Sequence, residues 1–73
     1  MTITQIHVPA EKVQVGHIVS NKSSSGNLEV LSVEGWCDHG KITYKIDIGR
    51  NGESVFEVEL PKGQTLTYTY LTP

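Results

Sequence analysis

The sequence predicts an all-β domain, a small antiparallel barrel of five to six strands, and three observations predict it. Val, Ile, Thr and Tyr dominate the apolar stretches, and no window repeats apolar residues at helical spacing over two turns. Breakers recur at regular intervals: Pro9 to Glu11, Ser20 to Asn27, Gly35 to Gly40, Gly49 to Gly52, and Pro61 to Gly63. With 73 residues the chain has room for a single core spanning 1–73. A chain of this size buries only roughly 60% of its unfolded surface, so closure of the sheet or association is expected to make up the margin.

The five breaks leave six strands, near 2–8, 13–20, 28–34, 41–48, 54–60 and 65–71. One helical turn fits near Pro9 to Val13, with Pro in a first-turn position ahead of Glu11. The clearest strand is Lys41 to Ile48, where Ile42, Tyr44, Ile46 and Ile48 face one way and Lys41, Thr43, Lys45 and Asp47 the other. Phe56, Val58 and Leu60 repeat that parity, as do Leu66, Tyr68 and Tyr70. Tyr44, Tyr68 and Tyr70 are therefore expected in the core with their hydroxyls at its rim.

Parity also bears on the connection at Asn51-Gly52. A two-residue type I′ loop there would set Glu57 opposite Ile46 and Glu59 opposite Tyr44. A three-residue loop, Arg50-Asn51-Gly52, instead pairs Ile46 with Phe56, Tyr44 with Val58, Ile42 with Leu60 and Lys45 with Glu57. The expectation is the three-residue loop, with Gly52 at positive φ in a bulge. The third strand changes phase, since Leu28 and Val30 share one parity and Leu31 and Val33 the other, which requires a bulge or bend. The last eleven residues, Gly63 to Pro73, and the first six, Met1 to Ile6, carry no charged side chain. Such β-forming segments are hazardous as free edges, so the first and last strands are expected to cover one another and close the barrel, with a subunit interface as the competing account. Ser23 to Gly26 is expected to be a mobile loop tip.

Composition narrows the function. Six Lys and Arg, eight Asp and Glu and three His give a formal net charge of −2 with no basic run. Nucleic-acid binding through Lys22, Lys41, Lys45, Arg50 and Lys62 is thus the minority reading, because phosphate neutralisation calls for a basic stripe. The single cysteine, Cys37, excludes an internal disulfide and fits a reducing compartment. Met1 to Ile6 has neither a basic n-region nor an apolar h-region, and no stretch approaches the ~18 apolar residues of a membrane span. The chain is expected to be complete, unprocessed and cytoplasmic.

Trp36-Cys37-Asp38-His39-Gly40 is the most chemically mixed stretch. Cys37 and His39, with His17 or His7, would be borderline zinc ligands, but the paired spacings of structural zinc sites are missing and no metal or cofactor is expected. A Cys37–His39 nucleophile pair would still need an orienting group, an oxyanion pocket and a cleft, and a small barrel is filled by side chains, so no enzyme activity is expected. The plain account makes Asp38 and Gly40 a hairpin turn, Cys37 a small hydrophobe and Trp36 a plug at one end of the core. The functional account makes Trp36, with His39 and Lys41 nearby and Arg50 in the next connection, a contact anchor for a protein partner. Glu53, Glu57 and Glu59 form an outward acidic row that a basic partner could read.

Val13-Gln14-Val15-Gly16-His17-Ile18-Val19 resembles the segment that leads into the strand of many SH3-like barrels, a Val-x-Val-Gly-Asp-x-Ile/Val pattern in which His17 here replaces Asp. The resemblance covers about seven residues plus the strand spacing, and implies an SH3-like fold without an activity. Together with Val8-Pro9-Ala10 and with Leu60-Pro61-Lys62-Gly63 before a Thr-rich final strand, this segment is similar to small proteins of actinobacterial phages. That likeness implies a phage accessory protein acting in the host cytoplasm. The expected function is a non-enzymatic interaction module. The alternatives are a nucleic-acid-binding barrel and a structural protein that self-assembles through its terminal strands.

Overall fold

A computed structural model of the protein describes residues 2–22 and 26–72. Six strands form: β1 (Thr2–Pro9), β2 (Ile18–Ser20), β3 (Leu28–Asp38), β4 (Lys41–Arg50), β5 (Glu53–Pro61) and β6 (Thr65–Thr72). A short 3₁₀ turn, Ala10–Lys12, follows β1, with Pro9 as its N-cap. The all-β class and the strand positions follow the sequence pattern, with two exceptions. Around 13–20 only Ile18–Ser20 is strand, because the backbone turns at Gln14 to His17, where His17 N–H donates to the Gln14 carbonyl and Gly16 takes φ 92°. Around 28–34 the strand runs on to Asp38, so Gly35 and Trp36 lie within β3 and not in a connection. Of the expected loop tip Ser23 to Gly26, Ser23 to Ser25 lie outside the described residues.

The strands make one sheet in the order β1-β6-β2-β3-β4-β5. The expected barrel closure is not found. The chain ends do cover one another, since β1 pairs antiparallel with β6 from Thr2↔Thr72 to Pro9↔Thr65. That ladder extends the sheet and does not seal it: β6 bonds β1 along one side and β2 along the other, which leaves β1 and β5 as outer strands. Nor is the sheet wholly antiparallel, because β2 meets β6 in parallel at Ser20↔Thr69. An open sheet is long and thin. The molecule measures 45 × 24 × 15 Å with a radius of gyration of 12.9 Å, where a compact chain of this length has about 11 Å.

The core lies on one face of the sheet. Val13, Val19, Val30, Ile46, Ile48 and Tyr68 are buried together, and Val8, Leu28, Val33, Val58, Leu60, Leu66 and Tyr70 pack around them. Alternation in β4 puts Ile46 and Ile48 inside, while Tyr44 is half-buried and Ile42 emerges where the hairpin outruns the core. The tyrosines of β6 behave as their parity predicts. Tyr70 donates its hydroxyl to the Ile18 carbonyl at 2.9 Å, and the Tyr68 hydroxyl lies 3.4 Å from His17 Nδ1, with burial, and then the Tyr70 hydroxyl, raising its pKa. His17, which stands where the SH3-like pattern has Asp, meets the Tyr68 ring edge-on at a centroid distance of 6.1 Å.

Two bulges reconcile the apolar face with the turns. In β3 the register shifts between Val30↔Ile48 and Ser32↔Asp47, leaving Leu31 as the extra residue, as the phase change requires. The β4–β5 connection differs from expectation. Asn51 and Gly52 take φ 55° and 82°, and Arg50 pairs with Glu53, so the loop is the two-residue type I′ turn that parity argued against. The conflict is resolved one step later: Gly49 pairs with Ser54 but Ile48 with Phe56, so Val55 bulges out and every later pair returns to the apolar parity. Ile46 thus stands opposite Val58 and Tyr44 opposite Leu60, two residues from the expected register, and Lys45 stands opposite Glu59 while reaching Glu57 at 3.3 Å diagonally.

The turn yields a direct prediction. Gly52→Val places a β-branched side chain in the left-handed region and should cost about 2–3 kcal/mol, whereas Asn51→Ala, at a position Asn tolerates better than Ala, should cost about 1 kcal/mol. Urea denaturation of both variants checks the ranking, and equal midpoints would contradict the turn.

Candidate functional site

The β3–β4 hairpin carries three of the four candidate contact residues at its far end. Its loop is His39-Gly40 at φ 50° and 77°, a second two-residue turn closed by Asp38↔Lys41. His is among the residues that enter the left-handed region at modest cost, and Gly enters freely. The turn residues are therefore His39 and Gly40, with Asp38 holding the last strand position.

Register decides which side chains share a face. Past the Leu31 bulge, Val33 stands opposite the buried Ile46, so Gly35 and Cys37 follow it on the core side while Glu34, Trp36 and Asp38 face away. Trp36 is opposite Thr43, which is opposite Pro61, and its side chain is 40% exposed. It does not plug the core; it lies on the outer face. Gly35 across from Tyr44 serves the other face: a Cβ there would meet the Tyr44 ring at 3.2 Å, so the ring covers the glycine instead.

Beside the loop, Gly40, Lys41, Ile42, Pro61 and Lys62 line an open depression of about 330 Å³. The end of β5 is held there by the Lys62 N–H, which donates to the Ile42 carbonyl at 2.8 Å. Two lysines together with Ile42 and Pro61 in the lining suit a ligand with both apolar and anionic parts. Pro61 and Ile42 were not among the sequence candidates, and Lys62 was one only for the nucleic-acid reading; the signal that brings the three to this place is the Thr43↔Pro61 register, two residues from the expected one.

Charge is divided along the hairpin. His39, Lys41 and Lys62 gather at the loop end, where His39 Nε2 is 3.4 Å from Asp38 Oδ1 in a highly exposed pair that contributes little. Farther along the outer face Glu34, Asp47, Glu57 and Glu59 surround Lys45. A hydrogen bond to Glu57, followed by its charge and those of Glu34 and Glu59, raises the Lys45 pKa.

Arg50 does not join this site. It ends β4, about 30 Å from Lys41 at the strand rise of nine residues. Its stem lies against Gly26, where an added Cβ would come within 3.3 Å of Arg50 Cγ, and its buried Nε has no hydrogen-bond partner among the described residues. Cys37 is exposed and stands opposite Ile42. Among the described residues no three His, Cys, Asp or Glu side chains converge as a ligand set. Among them, too, no helix is long and apolar enough to cross a membrane. No family model matches the chain, and no significant match is found among curated proteins or solved structures.

Proposed function

We propose that the protein is a non-enzymatic interaction module whose β3–β4 hairpin end docks a protein partner. The observation that carries this reading is Trp36, 40% exposed on the outer face of a hydrogen-bonded ladder, in line with Thr43 and Pro61. Tryptophan on a rigid scaffold supplies a large contact area at small entropic cost, and interface hot spots are enriched in it. Lys41 and Lys62 at the adjoining depression favour a partner segment that combines an apolar side chain with a carboxylate.

The SH3-like likeness agrees with this reading at one point: Gly16 takes φ 92° while its N–H donates to the Val30 carbonyl, turning the chain into β2 as a glycine lead-in does. The phage-like segments favour an accessory protein working in the cytoplasm of a host cell.

Affinity capture from the native cellular background, with mass spectrometry, tests the proposal. A protein retained by the wild type should be at least about tenfold depleted on Trp36→Ala and on Lys41→Glu, and undiminished on Arg50→Ala. Undiminished capture by Trp36→Ala would contradict the site.

A further inference from the structure

The two outer strands of the sheet are unlike. The β5 edge carries Glu53, Glu57 and Glu59, the Val55 bulge and a terminal Pro61, all devices that discourage another strand from pairing. The β1 edge has none of them over Thr2 to Val8. Its residues Thr2 to Ile6 are uncharged, it pairs with β6 without a register shift, and Ile3 and Ile6 are 60% and 47% exposed.

The direction of its backbone groups can be fixed. Ala10 N–H donates to the Gln64 carbonyl at 2.9 Å, in register with the β1–β6 ladder. Antiparallel ladders alternate, so Thr2, Thr4, Ile6 and Val8 bond to β6 while Ile3, Gln5 and His7 direct N–H and C=O away from it. Pro9 agrees with this phase: it falls at an outward position, where a residue without N–H costs the ladder nothing. So does the far side of β6, where the Thr69 carbonyl accepts from Asn21 N–H.

We propose that β1 joins two copies of this chain by antiparallel β1–β1 pairing about a twofold axis at Gln5. The outward set Ile3, Gln5 and His7 is symmetric about Gln5. Setting Gln5 against the partner's Gln5 and Ile3 against the partner's His7 satisfies every outward N–H and C=O of the three residues on both copies. A slip of one step toward the 3₁₀ turn would bring Pro9, which has no donor, against Ile3. In the stated register Ile6 is covered by the partner's Thr4 and no two like charges meet, while β6 and β2 separate the contact from β3 and leave Trp36 uncovered. The inference is independent of the hairpin-end proposal.

Sedimentation equilibrium of the full chain between micromolar and millimolar concentration should show reversible passage from monomer to dimer. Gln5→Pro removes the central donor without touching the β6 ladder, and should weaken association at least tenfold with an unchanged circular dichroism spectrum. In a Cys37→Ser background, Gln5→Cys should form a disulfide-linked dimer on mild oxidation, and Ile3→Cys, whose sulfurs would lie four strand positions apart, should not. A monomer throughout the range, undiminished association of a folded Gln5→Pro, or equal cross-linking of Ile3→Cys and Gln5→Cys would overturn the proposal.

Discussion

Gly49→Ala should destabilise the protein by about 3 kcal/mol or more, near the upper end of what one added methyl can cost. Gly49 is where both bulges meet: Leu31 projects toward it from β3, and the Val55 bulge begins beside it on β5. A Cβ there would collide with the Glu53 carbonyl oxygen, and would lie 2.7 Å from that carbonyl carbon and 2.5 Å from Leu31 Cδ1. Backbone cannot swing aside as a side chain can, so β4 and β5 would have to part where the core pair Ile48 and Val30 is anchored. Gly35→Ala is the contrast. Its Cβ would meet only the Tyr44 ring, at 3.2 Å, and a shift of a few tenths of an ångström relieves it, for a cost under about 1 kcal/mol. Against a total stability on the order of 5 kcal/mol for a domain of this size, the first variant should retain about 2 kcal/mol or less and the second at least about 4 kcal/mol. Urea midpoints at constant slope make the comparison, and similar midpoints would refute the close approach at Gly49.

Asn21→Ala should cost about 2–3 kcal/mol. The sheet consists of a β3–β4–β5 part and a β1–β6 part, and the three residues of β2 join them through one residue pair to β6. Asn21 extends that short strand with its side chain. Its Oδ1 accepts from the Leu71 N–H at 2.5 Å, its Nδ2 donates to the Leu71 carbonyl at 3.2 Å, and its own N–H donates to the Thr69 carbonyl. Alanine keeps the last of these and leaves both polar groups of Leu71 without their partner in a half-buried position, each costing on the order of 1 kcal/mol or more. Native-state hydrogen exchange should show the loss locally: the Leu71 amide and β6 exchange faster, while Ile46 and Val58 keep the protection set by global unfolding. A uniform change across all strands would mean that Asn21 does not act at the joint.

What the sequence made legible was whatever period two encodes. Ile42 to Ile48, Phe56 to Leu60 and Leu66 to Tyr70 marked three strands and the face each turns to the core, although Ile42 and Phe56 on that face stay exposed, and adjacent Val30 and Leu31 signalled the first bulge. The second bulge had the same signature in adjacent Val55 and Phe56. Turn chemistry and parity look like competitors at this connection, yet a single unpaired residue satisfies both. Val13 and Val15 imitated a strand, yet the Gly16 turn buries the first and exposes the second. Asn21 read as loop because a side chain that imitates backbone leaves no periodic trace. Closure failed for a topological reason: uncharged ends indicate that the ends pair, and say nothing about whether that pair seals the sheet or lengthens it. At the candidate site, Trp36, His39 and Lys41 were legible as residues left over from the apolar pattern. Arg50 is a leftover of the same kind but belongs to the opposite end of β4, nine residues of strand rise away from Lys41.

The open strand order is the claim on which the joint at Asn21 and the free β1 edge both depend. Cross-strand nuclear Overhauser effects on a dilute, labelled sample test it most directly. The fold described here predicts contacts between Thr69 and the Ser20–Asn21 segment, and between Ile48 and Phe56, with none from β1 to β5. A ladder of contacts from Thr4 and Ile6 to residues of β5 would show a closed barrel and contradict it.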